Sequence, residues 1–183
     1  MANKEADMRR PTRFVPVVLL ALVALGHSHA ALAQSPKPDP TNRDVLLHQW
    51  SEIGEKVVQL AEEFPEEKYN FRPVAGVRTF ADQLRHVAFW NTFVAKTVRG
   101  EKIDPKINEL SKADYPTKAA IVKALKSSLA EATALLKQAS VSPDAKSTGL
   151  WVSFIEHSGE HYGQMVVYYR LNGIVPPASR TGD

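Results

Sequence analysis

The stretch of sequence that decides the fold is Trp151–Pro177, WVSFIEHSGEHYGQMVVYYRLNGIVPP. Its apolar residues recur at helical spacing, and Gly173 with the two prolines that follow predicts where the helix ends. The predicted inward stripe consists of Leu150, Phe154, His157, His161, Met165 and Tyr168. His157 and His161 are four residues apart and therefore lie on one helix face, where both could coordinate one metal ion. A core histidine pair satisfied by a carbonyl or a carboxylate is the alternative interpretation.

Three more amphipathic helices precede this stretch. The apolar period predicts them at Asn42–Phe64, Thr79–Arg99 and Thr117–Ala139. The second helix has apolar residues on more than one face, so we expect it to be buried on two sides. The sequence contains no strand-like alternation, internal repeat or glycine-rich phosphate loop.

The connections between the helices differ in length. The first two, 65–78 and 101–116, are long, and the last, Ser140–Ser147, is shorter. Tyr69, Phe71 and Val74 make the first connection apolar enough to pack over one end of the helices. The two long connections exceed what a simple up-down-up-down arrangement requires. We therefore predict an all-α four-helix bundle with at least one long crossover connection.

The segment 1–33 has the three parts of a secretory signal peptide. Three arginines precede the apolar run Phe14–Gly26, which is too short to be a membrane span. Small residues then lead to a predicted cleavage after Ala33, with cleavage after Ala30 as the alternative. We expect residues 1–33 to be removed, 34–41 to be a disordered leader, 42–178 to form the bundle and 179–183 to be a tail. The protein is then periplasmic or secreted, by the Sec or the twin-arginine route.

Charge and cysteine usage exclude several classes of partner and site. The mature chain has 19 basic and 18 acidic side chains, a net charge of +1. No basic cluster remains, which argues against a nucleic-acid partner, and after signal cleavage we expect no membrane partner. Cysteine is absent. Its absence excludes a disulfide framework, a lipoprotein anchor, a thiolate metal site and a cysteine nucleophile.

The histidines that remain after signal cleavage are the candidate metal ligands: His48, His86, His157 and His161. His86 lies in the middle of the doubly buried second helix. Together with the stacked pair it would make a three-nitrogen site, and three protein ligands leave a coordination position open for water or substrate. His48 is interpreted as a surface or boundary histidine. The tryptophans are interpreted as core residues: Trp50, Trp90 and Trp151.

Several motifs in combination resemble the DinB family. They are PEEKYNFRP at 65–73, VRTF at 77–80 leading to His86, and HSGEHYGQ at 157–164 followed by Gly173 and two prolines. The resemblance covers almost the whole mature chain. It implies a four-helix bundle of the DinB type, often a homodimer, with a divalent metal on His86, His157 and His161. That metal is commonly zinc or nickel, and manganese is a third candidate.

Four side chains near the three histidines have two interpretations each. Asp82 could fix the tautomer of His86 from one helical turn away, or it could be the carboxylate of the helix cap. Glu160 could act as a general base, or it could be a solvated or dimer-facing charge. Gln164 and Tyr168 could line a pocket, or they could be a polar edge and a core aromatic.

Three functions follow from these patterns. The DinB resemblance implies a metal-dependent thiol transferase or a related hydrolase that acts on an unidentified small molecule, although the family's thiol cosubstrates are cytosolic. The order H-x-x-E-H in HSGEH is also that of inverted zinc peptidases, but a short helical chain and a third histidine argue against that fold. The third interpretation is a non-catalytic, exported helical bundle that binds a metal or another ligand.

Overall fold

A computed structural model describes residues 39–138 and 145–180 of the chain. The predicted signal peptide, most of the leader, part of the last connection and the end of the tail lie outside these residues. The described part contains four long helices and two short 3-10 turns: α1 (Asn42–Glu63), the turn Glu66–Lys68, α2 (Phe80–Val98), α3 (Lys118–Lys137), α4 (Ala145–Leu171) and the turn Pro177–Ser179. Within it no strand occurs, so the predicted all-α class is confirmed.

Local sequence chemistry sets most helix ends. Thr41 begins α1 and Thr79 begins α2 through capping boxes, in which each threonine accepts a hydrogen bond from a backbone N–H and a carboxylate three residues on bonds back. Gly173 follows α4 with φ at 70°, a left-handed conformation that glycine adopts without strain. The predicted start of the last helix is wrong. It begins at Ala145 rather than after Ser147, because alanine and lysine are good helix formers that can extend it by a turn.

Contacts at the two ends of the helices establish their directions. Trp50 of α1 lies 5.1 Å from Trp151 of α4, and Phe64 lies 4.8 Å from Tyr169, both measured between ring centroids. These pairs join the start of α1 to the start of α4 and the end of α1 to the end of α4. The two helices are therefore parallel.

The helices α2 and α3 run the other way. At the start of α2, Phe80 stacks on Phe64 from the end of α1, at 4.0 Å between centroids. At the start of α3, the Lys118 ammonium donates to the carbonyl of Phe64 over 2.8 Å. Because α2 and α3 are neighbouring parallel helices, the connection between them must return along the bundle. The predicted crossover is confirmed.

The first connection closes one end of the bundle. Tyr69 is buried there and Phe71 packs edge-on against Tyr168, at 6.0 Å between centroids. Val74, which we expected to pack with them, is 61% exposed. Among the described residues it belongs to no apolar cluster, so the prediction for Val74 is wrong.

Two apolar clusters form the core, one at each end of the bundle. The first contains Phe64, Phe80, Met165 and Tyr169, and the second contains Trp50, Val94, Leu136 and Trp151. Each helix packs mainly against two others, with α1 opposite α2 and α3 opposite α4. None of the helices in the described ranges combines the length and the hydropathy of a membrane span.

Candidate metal centre

Three histidine side chains meet between α2 and α4. His157 Nε2 lies 3.1 Å from His86 Nε2 and 3.1 Å from His161 Nε2. His157 and His161 are one helical turn apart on α4, and the antiparallel packing of α2 brings His86 against them. Nitrogen atoms of all three rings lie within 4.8 Å of one another. The structure therefore assembles the three residues that the sequence singled out.

The spacing of these nitrogens fits a metal ion better than a shared proton. Zinc binds histidine nitrogen at 2.0–2.1 Å in tetrahedral sites, which places two ligand nitrogens about 3.3 Å apart. A proton on His157 Nε2 could be shared between its two close neighbours only in a three-centre hydrogen bond. A cation at the centre would attract the lone pairs of all three nitrogens at once.

The rings are in the form that a metal requires. Burial lowers the pKa of His86 to about 3, the positive charge of Arg78 adds to this, and the carbonyl of Asn108 opposes it weakly. Burial likewise lowers the pKa of His157 to about 4 and depresses that of His161. All three imidazoles are therefore neutral near pH 7, with a lone pair available for coordination.

Two glutamine side chains orient His161. Its Nδ1 lies 2.7 Å from the Gln83 amide oxygen and 3.1 Å from that of Gln164. Because an amide oxygen only accepts hydrogen bonds, Nδ1 carries the proton and Nε2 keeps its lone pair for the centre of the cluster. Gln164 was a predicted pocket residue. Gln83 was missed, although its position one turn before His86 on a doubly apolar helix was a signal for it.

The rings of His86 and His157 have fewer hydrogen bonds to orient them than the ring of His161. His86 Nδ1 and His157 Nδ1 are buried, and among the described residues no group meets the geometry of a hydrogen bond to either atom. The backbone of Asn108 is close enough to His86 to oppose the lowering of its pKa. With a metal on the opposite nitrogen, each of these atoms would be a donor that lacks an acceptor. A water molecule is the usual partner for such a buried donor.

Asp82 takes the capping role rather than a contact with His86. Its carboxylate bonds the backbone N–H of Thr79 and forms ion pairs with Arg85 at 2.7 Å and Lys112 at 3.2 Å. Through these contacts the carboxylate caps the start of α2 and links it to Lys112 of the crossover connection. The cap interpretation accounts for the contacts that the described residues show.

The remaining predicted site residues lie at the edge of the cluster or away from it. Tyr168 donates its hydroxyl to the Arg78 carbonyl over 2.7 Å and packs in the core. Glu160 is exposed, and among the described residues it forms no hydrogen bond or ion pair. His48 has a side chain that is 72% exposed and lies 3.7 Å from Glu52 on α1.

Aromatic side chains close one flank of the histidine cluster. The Trp90 ring centroid lies 5.9 Å from that of His86 and 5.7 Å from that of His157. Phe154 stacks on the same tryptophan at 5.5 Å. Trp90, interpreted from the sequence as a core residue, is half-buried and borders the site. This apolar wall excludes water and so strengthens electrostatic interactions beside it.

The crossover connection passes along another flank. Leu110 donates its backbone N–H to the Arg85 carbonyl over 3.4 Å, which ties the connection to α2 one residue before His86. Its neighbour Glu109 accepts a bond from Arg78 Nε over 3.2 Å. Neither Arg78 nor Glu109 was predicted as a site residue, since they lie in irregular segments that no pattern places in space.

Replacing Gln83 by leucine is expected to weaken zinc binding about tenfold or more, with the helical content unchanged. Leucine has a similar size and suits a buried position, but it removes the closer of the two hydrogen-bond acceptors of His161. Loss of a partner that orients a metal ligand typically costs 10–100-fold in metal affinity. Competition with a chromogenic chelator would measure the change, and Gln59→Leu on the exposed face of α1 is the matched control. Unchanged affinity in Gln83→Leu would show that Gln164 alone orients the ring.

Comparison with known proteins agrees with this architecture. The DinB superfamily profile matches residues 49–165. The matched region runs from α1 into α4 and contains all three clustered histidines. No curated protein matches the chain. Because the profile covers more than half of the sequence, this chain belongs to the DinB superfamily.

Proposed function

We propose that this protein binds one divalent metal ion through His86, His157 and His161 and is a metal-dependent enzyme. Zinc or nickel is the first choice and manganese the next. The observation that carries the proposal is the position of His157 Nε2, which lies 3.1 Å from a nitrogen of each of the other two rings. Membership of the DinB superfamily is compatible with this assignment.

The reaction proposed is a transfer of the thiol-transferase type or a hydrolysis, on a small molecule. In the described residues, no carboxylate joins the three histidines as a fourth ligand, so a position for an external ligand stays open. A metal bound there supplies Lewis acidity, which lowers the pKa of a thiol or a water molecule at the open position. The protein's own contribution is to hold three neutral imidazoles in place and to exclude water with Trp90 and Phe154.

Glu160 is the proposed general base if the reaction is a hydrolysis. It is exposed, and its negative charge acts on His161, where it favours the protonated ring. It lies one residue before that ring on α4. A thiol transfer would not need this carboxylate, because the Lewis acidity described above would be enough to deprotonate a thiol.

A non-catalytic metal- or ligand-binding bundle is the second candidate function. This candidate is favoured by the side chains around the three histidines. Within the described part of the chain, the only other side chains that form hydrogen bonds with these rings are the amides of Gln83 and Gln164. Amides do not transfer protons at neutral pH. In this case the protein would hold the metal without an acid or base beside it.

Location and assembly belong to the same proposal. The protein is exported, with cleavage after Ala33, and works in the periplasm or outside the cell as a homodimer. The basis for export is the sequence of the segment 1–33, and the basis for a dimer is the family resemblance.

Elemental analysis of untagged protein purified from the periplasm tests the metal site. We expect about one equivalent of zinc, nickel or manganese in the parent protein and little in a His86→Ala variant prepared in parallel. Screens with thiols and with hydrolysable esters would then separate the enzymatic proposal from the binding one. Parent protein that contains no metal, even after it is incubated with each ion, would contradict the site.

A further inference from the structure

Arg78 is a cation with a fixed backbone near the histidine cluster. Its carbonyl accepts the Tyr168 hydroxyl over 2.7 Å. Tyr168 follows His161 by seven residues on α4, so the two side chains share a helix face about 10.5 Å apart along the axis. Arg78 also comes immediately before Thr79, the residue that caps α2. Both helices that carry the histidines therefore hold its backbone in place.

One nitrogen of the Arg78 guanidinium has a hydrogen-bond acceptor, and the two terminal nitrogens have none among the described residues. Glu109 accepts a bond from Nε over 3.2 Å, and the arginine side chain is 33% exposed. Among the described residues, neither terminal nitrogen has a hydrogen-bond partner, which leaves the outer edge of the guanidinium with four free N–H groups. A planar pair of such groups matches a carboxylate in two parallel hydrogen bonds.

The charge of Arg78 reaches all three histidines. After burial, which is the largest cause, this charge contributes to the lowered pKa of His86, His157 and His161. The crossover residue next to Glu109, Asn108, also acts on His86. Glu109 comes immediately before Leu110, whose backbone N–H donates to the Arg85 carbonyl one residue before His86. This contact places the Arg78–Glu109 pair beside the segment of α2 that carries His86.

We propose that Arg78 is a specificity-determining residue that binds a carboxylate of the ligand held at the metal site. This inference rests on the proposed function, because it requires a ligand at the metal. A singly charged carboxylate fits better than a phosphate dianion, since Glu109 already neutralises part of the arginine's charge. The substrate class is thus a small molecule with a metal-binding sulfur or oxygen at one end and a carboxylate at the other.

The test uses cobalt-loaded protein and two thiols that differ in their second group. The sulfur-to-cobalt absorption band reports the binding of 3-mercaptopropionate, which has a carboxylate, and of 2-mercaptoethanol, which has none. We expect the parent protein to prefer 3-mercaptopropionate roughly tenfold, as a charge-assisted hydrogen-bond pair should produce. Arg78→Gln should lose this preference and keep both its cobalt and its affinity for 2-mercaptoethanol.

Two further variants complete the design. Arg170→Gln removes an exposed arginine of α4 and should keep the full preference. Arg78→Lys keeps the charge without the planar fork, so it should keep part of the preference even if Arg78→Gln folds poorly. A parent protein that binds cobalt without preferring the carboxylate, or an Arg78→Gln variant that still prefers it, would overturn the role of Arg78. A parent protein that takes up no cobalt would instead overturn the proposed function, and this inference with it.

Discussion

Replacement of His157 by alanine is expected to abolish stoichiometric metal binding and to leave the helical structure intact. His157 Nε2 lies 3.1 Å from the Nε2 atom of each of the other two candidate ligands. Loss of a residue that only orients a ligand costs 10–100-fold in affinity, so loss of the ligand itself should cost more than about 100-fold. The fold should survive because the truncation leaves both apolar clusters with all of their own side chains.

Metal content and far-ultraviolet circular dichroism, measured on the same samples, would check this expectation. The matched control is His48→Ala, which removes an exposed imidazole from α1 and should retain the metal. Global unfolding of His157→Ala would assign the metal a structural role. Full metal content in that variant would remove His157 from the set of ligands.

Replacement of Trp151 by alanine is expected to cause the largest loss of stability. The Trp151 side chain is completely buried and packs edge-on against Trp50 with 5.1 Å between ring centroids. Its truncation removes a large apolar surface and opens a cavity, which costs about 3–5 kcal/mol of the free energy of unfolding. For a domain of this size the melting temperature should fall by roughly 10 °C.

Thermal and urea unfolding would measure this loss, with Val152→Ala as the control. Val152 is the next residue of α4 and is 50% exposed, so its truncation should change the free energy of unfolding by less than about 0.5 kcal/mol. A cost below about 1 kcal/mol for Trp151→Ala would mean that α1 and α4 close the cavity by moving together.

Much of the fold could be predicted because its signals are local. Threonine caps at Thr41 and Thr79 and the glycine at Gly173 act on their own backbone neighbours, so the sequence alone indicates where those helices begin or end. The crossover could be predicted because a connection as long as 101–116 can return along a helix. The start of α4 was placed too late because the link Ser140–Ser147 contains several residue types that favour an N-cap, the serines and Asp144, and the sequence alone does not choose between them.

The candidate site was predictable only in part. His157 and His161 share a helix face by spacing, and the position of His86 on a doubly buried helix favoured its joining them. Metal binding by the three residues stays a prediction. Gln83, Arg78 and Glu109 were missed, because their roles depend on how α2, α4 and the crossover pack against one another. Such tertiary contacts leave no periodic trace in a single sequence.

The candidate ligands His86 and His157 lie far apart along the chain, and this separation bears on whether folding or metal binding comes first. His86 and His157 are 71 residues apart, whereas a zinc finger draws its ligands from a short stretch that the metal itself can organise. Closing so long a loop in an unfolded chain carries an entropic cost that packing of the helices must first offset. In the proposed metal site, uptake of the metal would therefore follow folding, and metal content would report whether α4 has docked on α2.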